Sequence, residues 1–228
     1  LTGGRRSAKA AAGAPLTLRF RSMKSLFAYL RRYFARRQND RRNERAEDFL
    51  KALLEAGSDL PRSAWDALFR RLGLDRNAAA QTLGRLVLEG RITVTADAVA
   101  LTPKGRRDAL ALMRAHRIYE QYLAEHSGYA PAEWHERAHH MEHRLDARER
   151  ERMASLLGNP LFDPHGDPIP TAGLTLPALP AGAHDTAAEG LPEAGTLLRV
   201  VHIEDDDARR FARIAATGLA KDAVVRVR

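Results

Sequence analysis

The spacing of apolar residues divides the sequence into a regular middle and two less regular ends. From Asn43 onward, Ala46, Phe49, Leu50, Leu53 and Leu54 recur at the interval of one helix face, and Gly57 closes the segment. Residues 63–72 repeat the pattern and end at Gly73. Asp75 is placed to cap a third helix over 76–89, which Gly90 stops. Residues 91–95 and 99–102 then read as two short strands around Ala96, Asp97 and Ala98. Three helices followed at once by a hairpin is the order of a winged helix-turn-helix, and the spacing predicts one over 44–102. In such a unit the third helix lies in the major groove of DNA. That sets Asn77 and Gln81 within reach of base edges, and Arg76 and Arg85 within reach of phosphates. Ala78, Ala79 and Ala80 leave the same helix poor in hydrogen-bonding side chains.

Pro103 opens a long helix to about residue 127, with Leu110, Met113, Ile118, Tyr122 and Leu123 on its apolar side. Shorter helices are predicted over 132–143 and 147–157, completing a helical domain over 103–170. Between 158 and 192 the chain turns rich in Pro, Gly and Ala, and a linker is set at 171–190. In the last part, 191–228, a strand over 197–203, a helix over 208–216 and a strand over 223–227 read as the beginning of a small β-barrel.

Composition changes this picture in three ways. With 228 residues, 44% of them hydrophobic, the chain can bury one or two cores. It contains no cysteine, which excludes disulfides and thiolate metal sites and agrees with a reducing, cytoplasmic setting. No apolar run approaches the length of a membrane span, and no secretory signal is legible at the N-terminus. The net charge of +8 is also unevenly placed. Residues 1–45 hold 13 Lys and Arg against Asp40 and Glu44, leaving 24 basic and 27 acidic residues elsewhere. The basic excess thus belongs to a flexible extension, 1–43, in which residues 20–43 can form a basic helix. Such a segment suits DNA phosphates, or a membrane surface or transporter partner.

The sharpest chemical signal is histidine. Six of the nine histidines fall between His116 and His143. His116 and Glu120 are four apart and share one helix face, while His135, His139, Glu142 and His143 make a second stripe. Two facing stripes of imidazole and carboxylate form a metal site suited to Mn(II), Fe(II), Zn(II) or Co(II). His126 and His140 lie off the stripes. Residues His135-Glu136-Arg137-Ala138-His139 also match the H-E-x-x-H pattern of zinc peptidases. The additional ligands would crowd the open position a hydrolase needs, so no enzyme activity is expected.

Taken in order, His116-Arg-Ile-Tyr-Glu120, His135 to His143, Gly158-Asn-Pro and Phe162-Asp-Pro-His-Gly-Asp-Pro-Ile-Pro170 resemble the diphtheria-toxin-repressor family of iron- and manganese-dependent regulators. Thr102-Pro-Lys-Gly-Arg106 is similar to the family's junction after the wing. The resemblance implies a mainly α protein with a winged helix-turn-helix, a helical metal-binding and dimerisation domain, and a partial SH3-like β module. That last module also resembles ferrous-iron transport protein A. It further implies a homodimer on double-stranded DNA, repressing metal-uptake genes when Mn(II) or Fe(II) is bound, with Zn(II) as a further candidate. Two metal sites per chain are implied: His116, Glu120 and His135 in one, and His139, Glu142 and His143 in the other. Family members commonly carry Cys or Glu where this chain has His139. Asp207 is the nearest match for an acidic ligand lent by the C-terminal module, and Asp40, Glu44 and Glu47 are candidates for ligands preceding the first helix. A different reading keeps the same metal site in the regulatory domain of a transporter.

Overall fold

The computed structural model describes residues 23–183, 189–205 and 207–228. The chain divides into two compact units, 1–41 and 42–228. In the first, the described residues 23–41 are helical; the sequence expectations for residues 1–22 lie outside the described residues. Where two separate helices were expected on either side of residue 43, a single helix, α1 (Met23–Glu55), runs through without a break. Nothing in the sequence interrupts it: there is no Gly or Pro between Met23 and Glu55, and Gly57 follows at φ +97°.

In the second unit, the C-terminal part of α1 carries Ala46, Phe49, Leu50 and Leu53, each at most 1% exposed. Burial of side chains this size contributes about 1.5–3 kcal/mol apiece for the larger ones, which anchors the helix. Around them pack β1 (Asp59–Pro61), a 3-10 turn at Arg62–Ala64, α2 (Trp65–Arg71), α3 (Arg76–Leu88), β2 (Ile92–Val94) and β3 (Ala98–Leu101). The Asp75 carboxylate accepts from the Ala78 N–H at 2.8 Å, so the predicted cap starts α3. The hairpin is a three-stranded sheet in the order β1-β3-β2, with Asp59 opposite Ala100 and Val94 opposite Val99. The extra strand, Asp59–Pro61, has only three residues and one buried side chain, too short for alternation to mark it.

Helix α4 (Pro103–His126) is locked to this sheet at its first turn. Thr102 Oγ1 accepts from the Gly105 N–H and lies 2.7 Å from the Gly90 carbonyl, to which it donates. A Cβ on Gly105 would fall 1.9 Å from the Arg91 carbonyl oxygen, so only glycine lets helix and wing approach this closely. Against α4 pack α5 (Pro131–Glu142) and α6 (Ala147–Leu156), the latter started by a reciprocal Asp146–Glu149 cap. A small second core of Ile118, Ala154 and Ile169 joins α4, α6 and the loop that follows. Arg114, 4% exposed, clamps the same three parts with two bonds to Glu151 and one to the Pro170 carbonyl.

The C-terminal part is a two-stranded ribbon, β4 (Leu197–Arg199) and β5 (Val224–Arg226), with α7 (Ala208–Ala215) between them. The strand expected over 197–203 stops at Arg199. Val200 still bonds to Asp222 and Ala223; beyond it, residues 201–205 leave the ribbon and lie along the loop after α6, with the Ile203 N–H donating to the His165 carbonyl at 2.9 Å. Helix α7 packs on α5. This detour carries an acidic side chain to the histidines.

Candidate metal centre

Helices α4 and α5 face each other with their histidine stripes inward. The first cluster is His116, Glu120 and His135, whose ligand atoms all lie within 4.8 Å of one another. His116 Nε2 is 3.1 Å from Glu120 Oε1, and His135 Nδ1 is 3.3 Å from the same oxygen. The second cluster is Asp48, His139, Glu142 and His143. Here Glu142 Oε1 lies 3.0 Å from His139 Nδ1, and His143 sits 3.1 Å from Asp48 and 2.7 Å from Glu47. His116 joins the two clusters: its Nε2 faces Glu120 while its Nδ1 is 2.6 Å from Glu142 Oε2. The ion nearest Glu142 from α1 is Lys51, whose ammonium stands 2.7 Å from Oε2.

The electrostatics follow from burial. Glu120 and Glu142 are each 2% exposed, and an unpaired carboxylate so deep would cost several kcal/mol. For Glu120, burial works to raise the pKa, but the charge and hydrogen bond of His116 outweigh it and bring the carboxyl down to about 2. Burial acts the same way on Glu142, where His116, His139 and Lys51 hold it well below the usual carboxylate range. The imidazoles move in the opposite direction. Hydrogen bonds to Asp205 and Glu120 lift His135 to about 10. Burial alone would lower His143, yet Asp48 and Glu47 raise it to about 10. The site thus holds its carboxylates anionic, the form in which they can bind a cation.

The donor set fits a divalent ion. Imidazole nitrogens and carboxylate oxygens without sulfur suit Mn(II), Fe(II), Co(II) or Zn(II). Several buried polar atoms also lack a hydrogen bond among the described residues, namely Asp48 Oδ1, Asp163 Oδ2 and both ring nitrogens of His165. Such orphans are rare in native interiors and a bound ion would satisfy them.

Asp207 stands apart from these clusters. It caps α7, accepting from the Arg209 and Arg210 N–H groups, and is exposed. The acid beside His135 is Asp205, 3.0 Å away and 8% exposed, which also lies 3.1 Å from His165 Nδ1. Asp48 and Lys51 were likewise not singled out from sequence, although both follow from helix periodicity. Asp48 is four positions from Glu44 and from the buried Ala52, and Glu47 lies beside it. Of the early acids, Glu47 reaches His143; Asp40 and Glu44 do not enter either cluster. The H-E-x-x-H pair is divided, with His135 in the first cluster, His139 in the second and Glu136 exposed. A peptidase site needs both histidines on one ion.

On α3, Arg76, Asn77 and Gln81 are exposed. Arg85 is half-buried and bonded to Glu89 at 2.7 Å. Its guanidinium is therefore already engaged within the helix.

Comparison with known proteins agrees with this architecture. Residues 102–171 match the family model for the iron dependent repressor, metal binding and dimerisation domain. The chain is 31% identical over 169 residues to the iron-dependent repressor IdeR of Mycobacterium leprae, covering 69% of this chain and 72% of that one. It is 27% identical over 150 residues to the diphtheria toxin repressor of Corynebacterium diphtheriae, covering 63% and 66%. A manganese-dependent transcriptional repressor solved in complex with manganese superposes with a TM-score of 0.69 at 32% identity, covering 79% of this chain and 82% of that one. With that family model matched and 31% identity over 72% of the length of IdeR, this chain belongs to the iron-dependent repressor family.

Proposed function

We propose that the chain is a metal-dependent transcriptional repressor of metal-ion uptake genes, binding double-stranded DNA as a homodimer when Mn(II) or Fe(II) is bound. The observation that carries this reading is the second cluster. It is closed by Asp48, a residue of the same helix whose apolar face forms the core of the winged helix. His139, Glu142 and His143 on α5 would hold an ion together with Asp48; His116, Glu120 and His135, with Asp205, would hold another. A bound divalent ion supplies two positive charges that draw carboxylates and neutral imidazoles from separate helices together. The protein's own part is to present those groups on two rigid helices, to keep Glu142 anionic at neutral pH, and to tie α1 to α5. This biases the position of α3 relative to the rest of the subunit, and in a dimer the spacing of two recognition helices decides whether both reach successive major grooves.

Zn(II) fits the same donors, and affinity order alone does not select among these metals. Among the described residues no helix is long and apolar enough to cross a membrane. A DNA-bound repressor works in the compartment that holds the DNA, which goes with a cytoplasmic setting.

Fluorescence anisotropy of the full chain on DNA from its own upstream region tests the proposal. With chelator, binding should be weak and salt-sensitive; with Mn(II) or Fe(II) at the same salt it should tighten by at least about tenfold, equivalent to 1.4 kcal/mol of coupling. Equal binding in chelator and in metal would overturn it.

A further inference from the structure

Beyond the two clusters lies a third group of potential ligands, contributed by the loop after α6. This loop turns at Gly166, where φ is +100° and a Cβ would fall 2.0 Å from the Val201 carbonyl oxygen. The turn is organised by Asp163. Its Oδ1 accepts three backbone N–H groups, from His165, Gly166 and Asp167, each at 2.9 Å. That saturates one carboxylate oxygen and leaves Oδ2 buried without a hydrogen bond, in a residue 1% exposed. The nearest cation to Oδ2 is Arg117 Nε at 3.9 Å, but the Arg117 guanidinium spends its N–H groups on Asp167 and the Pro168 carbonyl.

His165 shows the same incompleteness. It is 3% exposed, enclosed by the rings of Trp134 and Phe211, and neither ring nitrogen makes a hydrogen bond. Its Nδ1 points at carboxylates nonetheless, with Asp205 Oδ2 at 3.1 Å and Glu120 Oε2 at 3.9 Å. A buried ring nitrogen without a hydrogen bond, as at His165 Nε2, is rare in native interiors and calls for an explanation. Glu120 supplies one. Its Oε1 faces His116 and His135, whereas its Oε2 faces His165. A carboxylate that presents its two oxygens to two separate sets of imidazoles has the disposition of a bridging ligand. Asp205 Oδ2, shared between His135 and His165, stands between the same two sets.

We infer that Asp163 and His165, with Glu120, bind a third divalent cation beside the first cluster, with Glu120 bridging the two ions. The local charge agrees: Glu120, Asp163, Asp167 and Asp205 converge on a region where Arg117 is the one Lys or Arg paired with them among the described residues. One nitrogen and several oxygens suit Mn(II), with Zn(II) and Co(II) also compatible. The inference rests on the metal-binding reading above and extends it from two ions to three.

The test is equilibrium dialysis of the full chain against Mn(II), with bound metal counted per chain. Three ions are expected for the natural sequence. Asp163→Asn keeps the oxygen that accepts the three backbone N–H groups and removes only the free anionic oxygen. His165→Phe keeps the aromatic packing and removes both nitrogens. Each should bind two ions with an unchanged circular dichroism spectrum. Two ions in the natural chain would overturn the third site. So would three ions retained in both variants, or an affinity loss in His165→Phe without a change in count, which would make His165 an added ligand of the first ion. No bound metal at all would overturn the metal-binding reading itself.

Discussion

The cluster around Glu120 and the cluster around Glu142 both draw on α5, and His116 of α4 touches each, but different parts of the chain close them. The first is closed by Asp205, from the segment that leaves the C-terminal ribbon. The second is closed by Asp48 of α1, with Glu47 and Lys51 beside it. An ion in the first would therefore tie the helical domain to the C-terminal module, and an ion in the second would tie it to the winged helix. Coupling between metal and DNA is a difference in binding between two conformations, so the cluster that spans the moving parts carries it. Under the proposed function, an ion in the second cluster would act as the switch, and one in the first would brace the helices that hold it. His116, whose two ring nitrogens face one cluster each, is the joint.

The largest effect is expected from breaking both at once. Glu142→Ala removes the carboxylate that His116, His139 and Lys51 share, and leaves the Lys51 ammonium half-buried without its partner. Metal-dependent DNA binding should disappear in the anisotropy measurement, with metal affinity at the second cluster down by at least about 100-fold, the upper end of what even outer partners of a ligand cost. DNA binding that still responds to metal in this variant would remove the second cluster from the mechanism.

A paired substitution then separates the clusters. Asp48→Asn should weaken the DNA response by about 10–100-fold while the first cluster keeps its ion. Asp205→Asn should lower metal affinity at the first cluster by a similar factor, yet leave DNA binding intact once metal is saturating. Asp207→Ala is the control: it removes a helix cap and should leave metal affinity unchanged. If Asp205→Asn and Asp48→Asn give the same DNA phenotype, the division of labour fails.

The smallest effect is on pH dependence. His135 and His143 stand near 10 in the folded chain, against 6.5 for an unperturbed imidazole. Between those values the metal-free folded state binds more protons than the unfolded state. Stability in chelator is therefore fully present below about pH 6.5 and is lost as pH rises toward 10. Metal binding needs the same nitrogens unprotonated, so the stabilisation by Mn(II) should grow over that window. Thermal unfolding at pH 6.5, 8 and 9, with chelator and with Mn(II), reads both trends. A chelator Tm that rises with pH would reverse the sign and refute the ion-pair account.

The helices, the hairpin and the histidine stripes were legible in the sequence because each is a local property. Periodicity places His116 over Glu120 and His135 in line with His139 and His143, and Asp75 and Gly90 mark the ends of α3 without reference to anything distant. The break expected near residue 43 was absent because composition changes there while helix propensity does not, so α1 continues. The acid from the C-terminal module shows the limit most clearly. Asp205, Asp206 and Asp207 are consecutive and chemically equivalent as a string. Which of them caps α7 and which meets His135 depends on how residues 201–205 lie on the loop at Gly166, more than 30 positions away.

By itself, the sequence determined the winged helix, the helical domain and the presence of a nitrogen-and-oxygen metal site, since these depend on spacings within single elements. Only the tertiary structure decided what closes each set of ligands. It brought Asp48 and Asp205 in from opposite ends of the chain and left His165 buried facing carboxylates. Those outcomes are contacts between elements distant in sequence, set by the packing of α1, α5 and α7, and no local pattern encodes them.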